Sequence, residues 1–168
     1  EQPKLLFDLA TEYYIAGLFH EAIDCYEKAL CLCDVSAAYR PRLYRNLAES
    51  YRKLSMADDA LRVLQEAIGF YPDYGDLWFL WGLLLRELGK KTDALDAFAK
   101  AMQLSIPDAR YESNVTVCSE KACLNRAEIL FELGEAEKAL EEAMRCIEMN
   151  VRIVGAYLVA AKSFALIG

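Results

Sequence analysis

The sequence predicts an all-α fold built from stacked helix pairs, and three observations support this prediction. The segment Gly17-Leu-Phe-His-Glu-Ala-Ile recurs in altered form at 55–61, 89–95 and 134–140. Its small anchor residues Ala22, Ala60, Ala94 and Ala139 are 38, 34 and 45 residues apart. With 8 Gly and 4 Pro in 168 residues, the chain also lacks the frequent turn residues of an all-β protein.

The first helix of each copy, termed here the opening helix, is predicted from large and small residues at helical spacing. A large residue is followed by a large–small pair and then by an aromatic or large residue. The first three copies have Leu6, Leu9, Ala10 and Tyr13; Tyr44, Leu47, Ala48 and Tyr51; and Trp78, Trp81, Gly82 and Leu85. The fourth has Cys123, Arg126, Ala127 and Leu130, and the fifth Tyr157, Ala160, Ala161 and Phe164. Arg126 departs from the pattern because it puts a charge in a core position.

The second helix, termed the closing helix, carries the Ala anchor, a bulky residue four positions later and a small residue three positions after that. Ala22, Tyr26 and Ala29 show this order in the first copy. Glycine precedes the closing helix at positions 17, 89 and 134, where a positive φ would end the opening helix; Ser55 takes this place in the second copy. One such pair cannot bury its apolar stripe alone, so the copies are expected to stack.

These patterns predict one domain over 1–168. It comprises repeats at 3–36, 41–74, 75–108 and 120–153, and a half repeat at 154–168. An insertion at 105–116 is expected to be a loop or a longer opening helix for the fourth copy. The chain begins at Glu1 without Met and ends directly after an apolar run. We therefore expect it to be part of a longer protein.

The composition argues against several classes of protein. Lys plus Arg is 19 and Asp plus Glu is 26, and this net charge of −7 disfavours nucleic-acid binding. The longest apolar run, Leu77–Leu85, is too short to span a membrane. The six cysteines are expected to be reduced apolar residues of a cytoplasmic chain, and with one His we predict no metal site and no cofactor. Because glycine-rich phosphate loops, Gly-x-Ser-x-Gly and His-Glu-x-x-His are absent, no catalytic residues are predicted.

The repeated pattern resembles the tetratricopeptide repeat family over nearly the whole chain. The resemblance implies a right-handed superhelix whose concave groove is lined by the opening helices. It also implies a non-catalytic module for protein–protein interaction.

A narrower resemblance rests on Tyr39-Arg-Pro-Arg-Leu-Tyr-Arg-Asn-Leu, on Tyr71-Pro-Asp-Tyr-Gly-Asp-Leu-Trp, and on the insertion before the fourth copy. Together these look like the C-terminal repeat region of bacterial family 2 glycosyltransferases. No Asp-x-Asp signature occurs here, so this resemblance implies a catalytic domain before Glu1. The alternatives are a stand-alone repeat scaffold, a peptide-binding adaptor with no attached enzyme, or a regulator that binds short signalling peptides.

Helical geometry predicts which opening-helix residues face the groove. They are Lys4, Phe7, Thr11 and Tyr14; Arg42, Arg45, Glu49 and Arg52; Asp76, Phe79, Leu83 and Arg86; Lys121, Leu124, Glu128 and Phe131; and Leu158 and Lys162. As partner-binding residues we single out Phe7, Tyr14, Arg42, Arg45, Glu49, Arg52, Phe79, Arg86, Lys121 and Leu124.

Basic residues concentrate on the second opening helix, at Arg40, Arg42, Arg45, Arg52 and Lys53. One interpretation is a solvated face that pairs with acids on neighbouring helices. The other is an anchor for carboxylates of an acidic protein or peptide partner, since guanidinium groups bind carboxylates bidentately. The sequence leaves both open.

Two further features bear on possible partners. The carboxylate clamp of some family members is not supported, because only Asn46 stands at a matching position. The C-terminal helix presents Leu158, Val159, Leu166 and Ile167 without a closing helix, which predicts self-association.

Overall fold

The computed structural model describes residues 1–104 and 115–168, and this part of the chain forms nine α-helices and no strand. The helices are α1 (Gln2–Ile15), α2 (Phe19–Leu32), α3 (Arg40–Lys53), α4 (Ala57–Phe70), α5 (Gly75–Glu87), α6 (Lys91–Gln103), α7 (Val115–Glu132), α8 (Ala136–Met149) and α9 (Val154–Ile167). The predicted all-α fold is confirmed.

The helices pack as successive pairs in the predicted order. Opening helices α1, α3, α5 and α7 each contact the closing helix that follows, and each also contacts the next opening helix. The opening helices therefore form one continuous layer. The small anchors Ala22, Ala60, Ala94 and Ala139 are fully buried, which lets the helices of each pair approach closely.

The turns between opening and closing helices have the predicted backbone geometry. Gly17, Gly89 and Gly134 have φ values of 78°, 76° and 81°, in the left-handed region that favours glycine. Ser55 adopts the same conformation with φ 60°, although its side chain disfavours that region. The second copy therefore keeps the turn and carries some backbone strain.

Only part of the predicted insertion is described. Residues 105–114 lie outside the described part of the chain, and α7 begins at Val115. Helix α7 has 18 residues, whereas α3 and α5 have 14 and 13. The last two residues of the predicted insertion therefore belong to a lengthened opening helix.

A partly buried ion pair accounts for the polar residue in the fourth copy. Arg126 Nε donates to Glu142 Oε1 at 2.9 Å, and Arg126 Nη1 donates to the Leu95 carbonyl at 3.0 Å. The Glu142 side chain is only 10% exposed. The guanidinium thus links α6, α7 and α8 through polar contacts, at a position where the other copies have apolar residues.

The first helix is less buried than its pattern predicts. Leu9 is 45% exposed, whereas Leu47 in the same position of the second copy is 1% exposed. Among the described helices, α1 contacts only α2 and α3. The side of α1 that bears Leu9 therefore has no neighbour to bury it.

Candidate binding groove

A cavity of about 310 Å³ lies on the layer of opening helices, between α3, α5 and α7. It is lined by Arg45, Glu49, Arg52, Phe79, Leu80, Leu83, Lys121, Leu124 and Asn125. Three consecutive repeats thus contribute to one concave surface. The polar side chains come from α3 and α7, and the apolar wall comes from α5 and Leu124.

Arg52, on the α3 side of the cavity, is already paired within the chain. Its Nε and Nη2 bind the two carboxylate oxygens of Glu49 at 2.8 and 2.7 Å, and Nη1 binds Glu87 of α5. The hydrogen bonds to Glu49 outweigh the effect of burial and raise the pKa of Arg52 above its usual range. Glu49 and Arg52 therefore neutralise each other in the groove.

Arg45 and Lys121 differ from Arg52, because neither forms a salt bridge with any residue of the described part of the chain. Arg45 Nη1 donates instead to the neutral amide oxygen of Asn46 at 3.0 Å. Lys121 is exposed at the start of the α7 wall. Among the described residues, the cavity therefore has two cations without a carboxylate partner, on α3 and on α7.

Tyr14 extends the groove towards α1. Its half-buried ring packs edge-on against Phe19, with the ring centroids 5.6 Å apart. Burial raises the pKa of the Tyr14 phenol, and the nearby Glu49 carboxylate raises it further, against the opposing effect of Arg45 and Arg52. The structure thus brings Tyr14 close to the charged residues of α3.

Arg86 is paired across the next repeat boundary. Its Nη1 donates to Glu128 Oε2 at 2.6 Å and to Asn125 Oδ1 at 2.7 Å, and its Nη2 donates to Glu132 at 2.9 Å. Burial by itself lowers the pKa of Arg86, but the two carboxylates outweigh it and leave that pKa raised. Arg86 therefore holds α5 to α7 and has little capacity left for a partner.

Phe7 requires a correction, because it lies in the core and not on the groove surface. It is 1% exposed, and its ring centroid lies 5.4 Å from that of Tyr39 and 6.0 Å from that of Tyr26. The Arg42 guanidinium covers the ring at 4.9 Å from its centroid. Tyr39 belongs to the α2–α3 connection, so that segment buries a position that would otherwise face the groove.

Six of the ten predicted residues line the cavity: Arg45, Glu49, Arg52, Phe79, Lys121 and Leu124. Leu80 and Asn125 line it too, although the sequence prediction omitted them. Asn125 lies one helical turn after Lys121, so a strict four-residue spacing could have included it. Leu80 is 4% exposed and belongs neither to the predicted core positions nor to the predicted groove positions of its helix, so the repeat pattern contains no signal of its contact with the cavity.

Two family models, both described as tetratricopeptide repeat, match most of the chain. One matches residues 45–109, and the other matches residues 3–32 and 120–150. The chain belongs to the tetratricopeptide repeat family.

Solved tetratricopeptide structures share the fold. The crystal structure of the MamA protein superposes with a TM-score of 0.78 at 19% sequence identity, covering 100% of this chain and 84% of MamA. Among curated proteins, Protein FlbA of Caulobacter vibrioides is 34% identical over 103 residues, which are 60% of this chain and 15% of FlbA. Serine/threonine-protein kinase BSK1-2 of Oryza sativa subsp. japonica is 30% identical over 86 residues, 51% of this chain. The match covers 16% of that kinase, so the chain spans a small part of the curated relatives it matches.

The described part of this tetratricopeptide chain contains no candidate metal site and no membrane-spanning helix. No group of three or more His, Cys, Asp or Glu side chains there could hold a metal ion. Within residues 1–104 and 115–168, each helix is too short or too polar to cross a membrane. Cys25, Cys31, Cys33, Cys123 and Cys146 are free thiols, and burial raises the pKa of the Cys123 thiol well above its usual range.

Proposed function

We propose that this tetratricopeptide chain is a non-catalytic interaction module that binds an acidic segment of a partner protein in the groove of its opening helices. The observation that carries the proposal is a pair of cations, Arg45 and Lys121, which have no carboxylate partner in the described part of the chain and lie beside an apolar wall. A cation without a carboxylate partner can form charge-assisted hydrogen bonds to an incoming carboxylate, and the half-buried Arg45 is better shielded from water than the exposed Lys121.

The arrangement favours a peptide that alternates acidic and apolar side chains. Its carboxylates would pair with Arg45 and Lys121, and an apolar side chain would pack on Phe79, Leu83 and Leu124. Arg52 and Arg86 are excluded from direct binding because they are bound to Glu49 and Glu128. Of the basic cluster on α3, Arg45 is therefore the residue that fits the role of anchor.

The charge distribution supports an acidic partner for this face. Helix α3 carries five Arg or Lys residues and one Glu. Acidic residues outnumber basic ones on closing helices α2, α4 and α8. An acidic peptide would be repelled by the closing helices and attracted to α3, which raises the rate of productive encounter at low salt.

The test is a binding titration with a labelled peptide of alternating glutamate and leucine, measured by fluorescence anisotropy. The double variant Arg45→Glu, Lys121→Glu is expected to lower the affinity by at least about tenfold. The control reverses two cations on the closing helices, Arg62→Glu and Lys138→Glu, whose side chains are 65% and 70% exposed. Equal affinity of both double variants and the unmodified chain would contradict the proposal.

We further propose that the chain self-associates through α9. Tyr157, Leu158, Phe164, Leu166 and Ile167 are between 46% and 70% exposed on this helix, which carries one charge, Lys162. Val159 is 7% exposed and does not contribute to this surface. Light scattering should give a mass above 19.0 kDa for the unmodified chain. The mass should fall to 19.0 kDa for Phe164→Glu and stay above it for the control Leu32→Glu. A single 19.0 kDa species in the unmodified chain at high concentration would contradict this proposal.

The parent protein is proposed to be a cytoplasmic bacterial family 2 glycosyltransferase, with these repeats as its recruiting or oligomerising tail. The support is the resemblance of the Tyr39 and Tyr71 segments and of the insertion before the fourth copy. Reading the coding sequence on the N-terminal side of Glu1 tests this. A catalytic domain with an Asp-x-Asp signature would support it, and further repeats alone would favour a stand-alone scaffold.

A further inference from the structure

A chain of four hydrogen bonds runs from the groove into the core of the first two repeats. Arg45 Nη1 donates to Asn46 Oδ1 at 3.0 Å, and Asn46 Nδ2 donates to the Tyr26 hydroxyl at 3.2 Å. Tyr26 in turn donates to Thr11 Oγ1 at 3.3 Å, and Thr11 donates to the Phe7 carbonyl at 2.9 Å. This series of hydrogen bonds therefore connects Arg45, a cavity-lining cation on α3, to the backbone of α1.

The chemistry of the side chains fixes which group donates and which accepts at each step of this hydrogen-bond series. A guanidinium can only donate, so Asn46 must present its oxygen to Arg45 and its nitrogen to Tyr26. The Tyr26 oxygen can accept because its own proton is directed at Thr11. Tyr26 is fully buried and Asn46 is 8% exposed, so water does not compete readily for these groups. The amide of Asn46 is consequently held in one orientation.

The two arginines that line the cavity from α3 are thus held by different chemistry. Arg52 is fixed by the Glu49 carboxylate, which also cancels its charge. Arg45 is fixed by a neutral amide, which orients one nitrogen and leaves the positive charge available. A partner's carboxylate could still bind the other nitrogens of Arg45.

We propose that Asn46 is a positioning residue that aims Arg45 into the groove without neutralising it. The inference rests on the proposed binding of an acidic segment, and it assigns to Asn46 a role other than direct contact with the partner. Asn46 acts through Arg45, and Tyr26 acts through Asn46.

The test is a double-mutant cycle with the alternating glutamate–leucine peptide and a neutral peptide in which glutamine replaces each glutamate. Asn46→Leu is expected to lower the affinity for the acidic peptide by about tenfold and to leave the affinity for the neutral peptide unchanged. In an Arg45→Ala background, Asn46→Leu should have no further effect on the acidic peptide, because the group that it positions is absent.

Tyr26→Phe is a second variant that leaves Asn46 and Arg45 in place. It removes only the hydroxyl that orients the Asn46 amide. It should therefore lower the affinity for the acidic peptide by less than Asn46→Leu does, and it should leave the affinity for the neutral peptide unchanged. Far-ultraviolet circular dichroism and the thermal midpoint identify any variant that fails to fold, and Tyr26→Phe keeps the test valid if Asn46→Leu is one of these.

The outcomes separate this inference from the proposed function. Suppose that Arg45→Ala weakens binding of the acidic peptide, but that Asn46→Leu weakens it equally with and without Arg45, or weakens binding of the neutral peptide as much. The positioning role of Asn46 is then wrong, and the proposal that the groove binds an acidic segment stands. If the unmodified chain does not prefer the acidic peptide, or if Arg45→Ala does not reduce that preference, the positioning role and the groove proposal are both wrong. A loss of affinity on Asn46→Leu that is confined to the acidic peptide, and that occurs only when Arg45 is present, supports both the positioning role and the groove proposal.

Discussion

The ring of Phe98 on α6 packs against the backbone of Gly82 on α5 with no space for a side chain between them. A Cβ at Gly82 would lie 2.8 Å from Phe98 Cδ1 and Cε1, closer than van der Waals contact allows. Phe98 is fully buried and cannot withdraw into solvent. The third repeat therefore depends on glycine where the other complete repeats have alanine.

Gly82→Ala is expected to lower the free energy of unfolding by about 1–3 kcal/mol, because the displaced Phe98 ring strains the packed core. The control is Gly69→Ala on α4, where a new Cβ would meet no atom within 4 Å. Gly69→Ala should stabilise the chain by about 0.5–1 kcal/mol through the helix preference of alanine. Urea unfolding of both variants measures the difference, and stabilisation by both would contradict the packing argument.

Ser55→Gly is expected to stabilise the chain by about 0.5–1 kcal/mol. Ser55 is exposed and has φ 60°, a conformation that glycine adopts without the steric cost of a Cβ. The reciprocal change Gly89→Ser should destabilise by a similar amount, although a Cβ at Gly89 would meet no atom within 4 Å. The thermal midpoints should move in opposite directions, and a fall in both would show that Ser55 makes a contact that outweighs the strain.

Arg126→Ala is expected to cost about 3 kcal/mol of unfolding free energy, because it leaves the buried Glu142 carboxylate without its cation. The double variant Arg126→Met, Glu142→Met removes both charges and should recover most of that loss. Chemical denaturation of both variants measures the recovery. A double variant as unstable as Arg126→Ala would mean that the bond from Arg126 to the Leu95 carbonyl, and not the ion pair, carries the effect.

Stability is expected to fall at alkaline pH through two buried tyrosines. The Tyr44 hydroxyl donates to Glu66 at 2.7 Å and the Tyr51 hydroxyl donates to Glu27 at 2.6 Å. Burial, together with these carboxylates, raises the pKa of both phenols above the usual value of about 10. Their contribution to the free energy of unfolding is therefore complete below about pH 10. It is lost as the pH rises above that value, because the unfolded chain releases the phenolic protons at a lower pH than the folded chain does.

The measurement for this prediction is urea unfolding between about pH 8 and pH 11. The double variant Tyr44→Phe, Tyr51→Phe should be less stable at neutral pH and should decline less steeply above about pH 10. Parallel declines in the variant and the unmodified chain would assign the alkaline loss to other groups.

The helix pairs could be predicted because their signals lie within one copy and repeat. The Ala anchors and the turn glycines are local features, and stacking follows from the need to bury the apolar stripe of each helix pair. The position of Phe7 could not be predicted in this way. It occupies the same helical position as the half-buried Arg45, but Tyr39, from the connection after α2, covers Phe7.

The pairing of the arginines was also beyond the sequence pattern. Arg52 reaches Glu87 and Arg86 reaches Glu128, residues that are 35 and 42 positions later in the chain. Such contacts depend on how much each repeat rotates relative to the last, which the spacing of residues in one helix does not encode. The interpretation of a face that pairs with neighbouring acids therefore applies to Arg52, and the carboxylate-anchor interpretation stays a proposal for Arg45.

The cavity takes its walls from three successive repeats, with the cations on the outer two and the apolar surface on the middle one and at Leu124. The proposed recognition therefore depends on the order of the repeats and not on any one of them. Duplicating, deleting or exchanging a repeat could preserve a folded solenoid, since each unit stacks on its neighbours by the same rules. Any such rearrangement between α3 and α7 would nonetheless separate the walls of the cavity and so remove the proposed binding site.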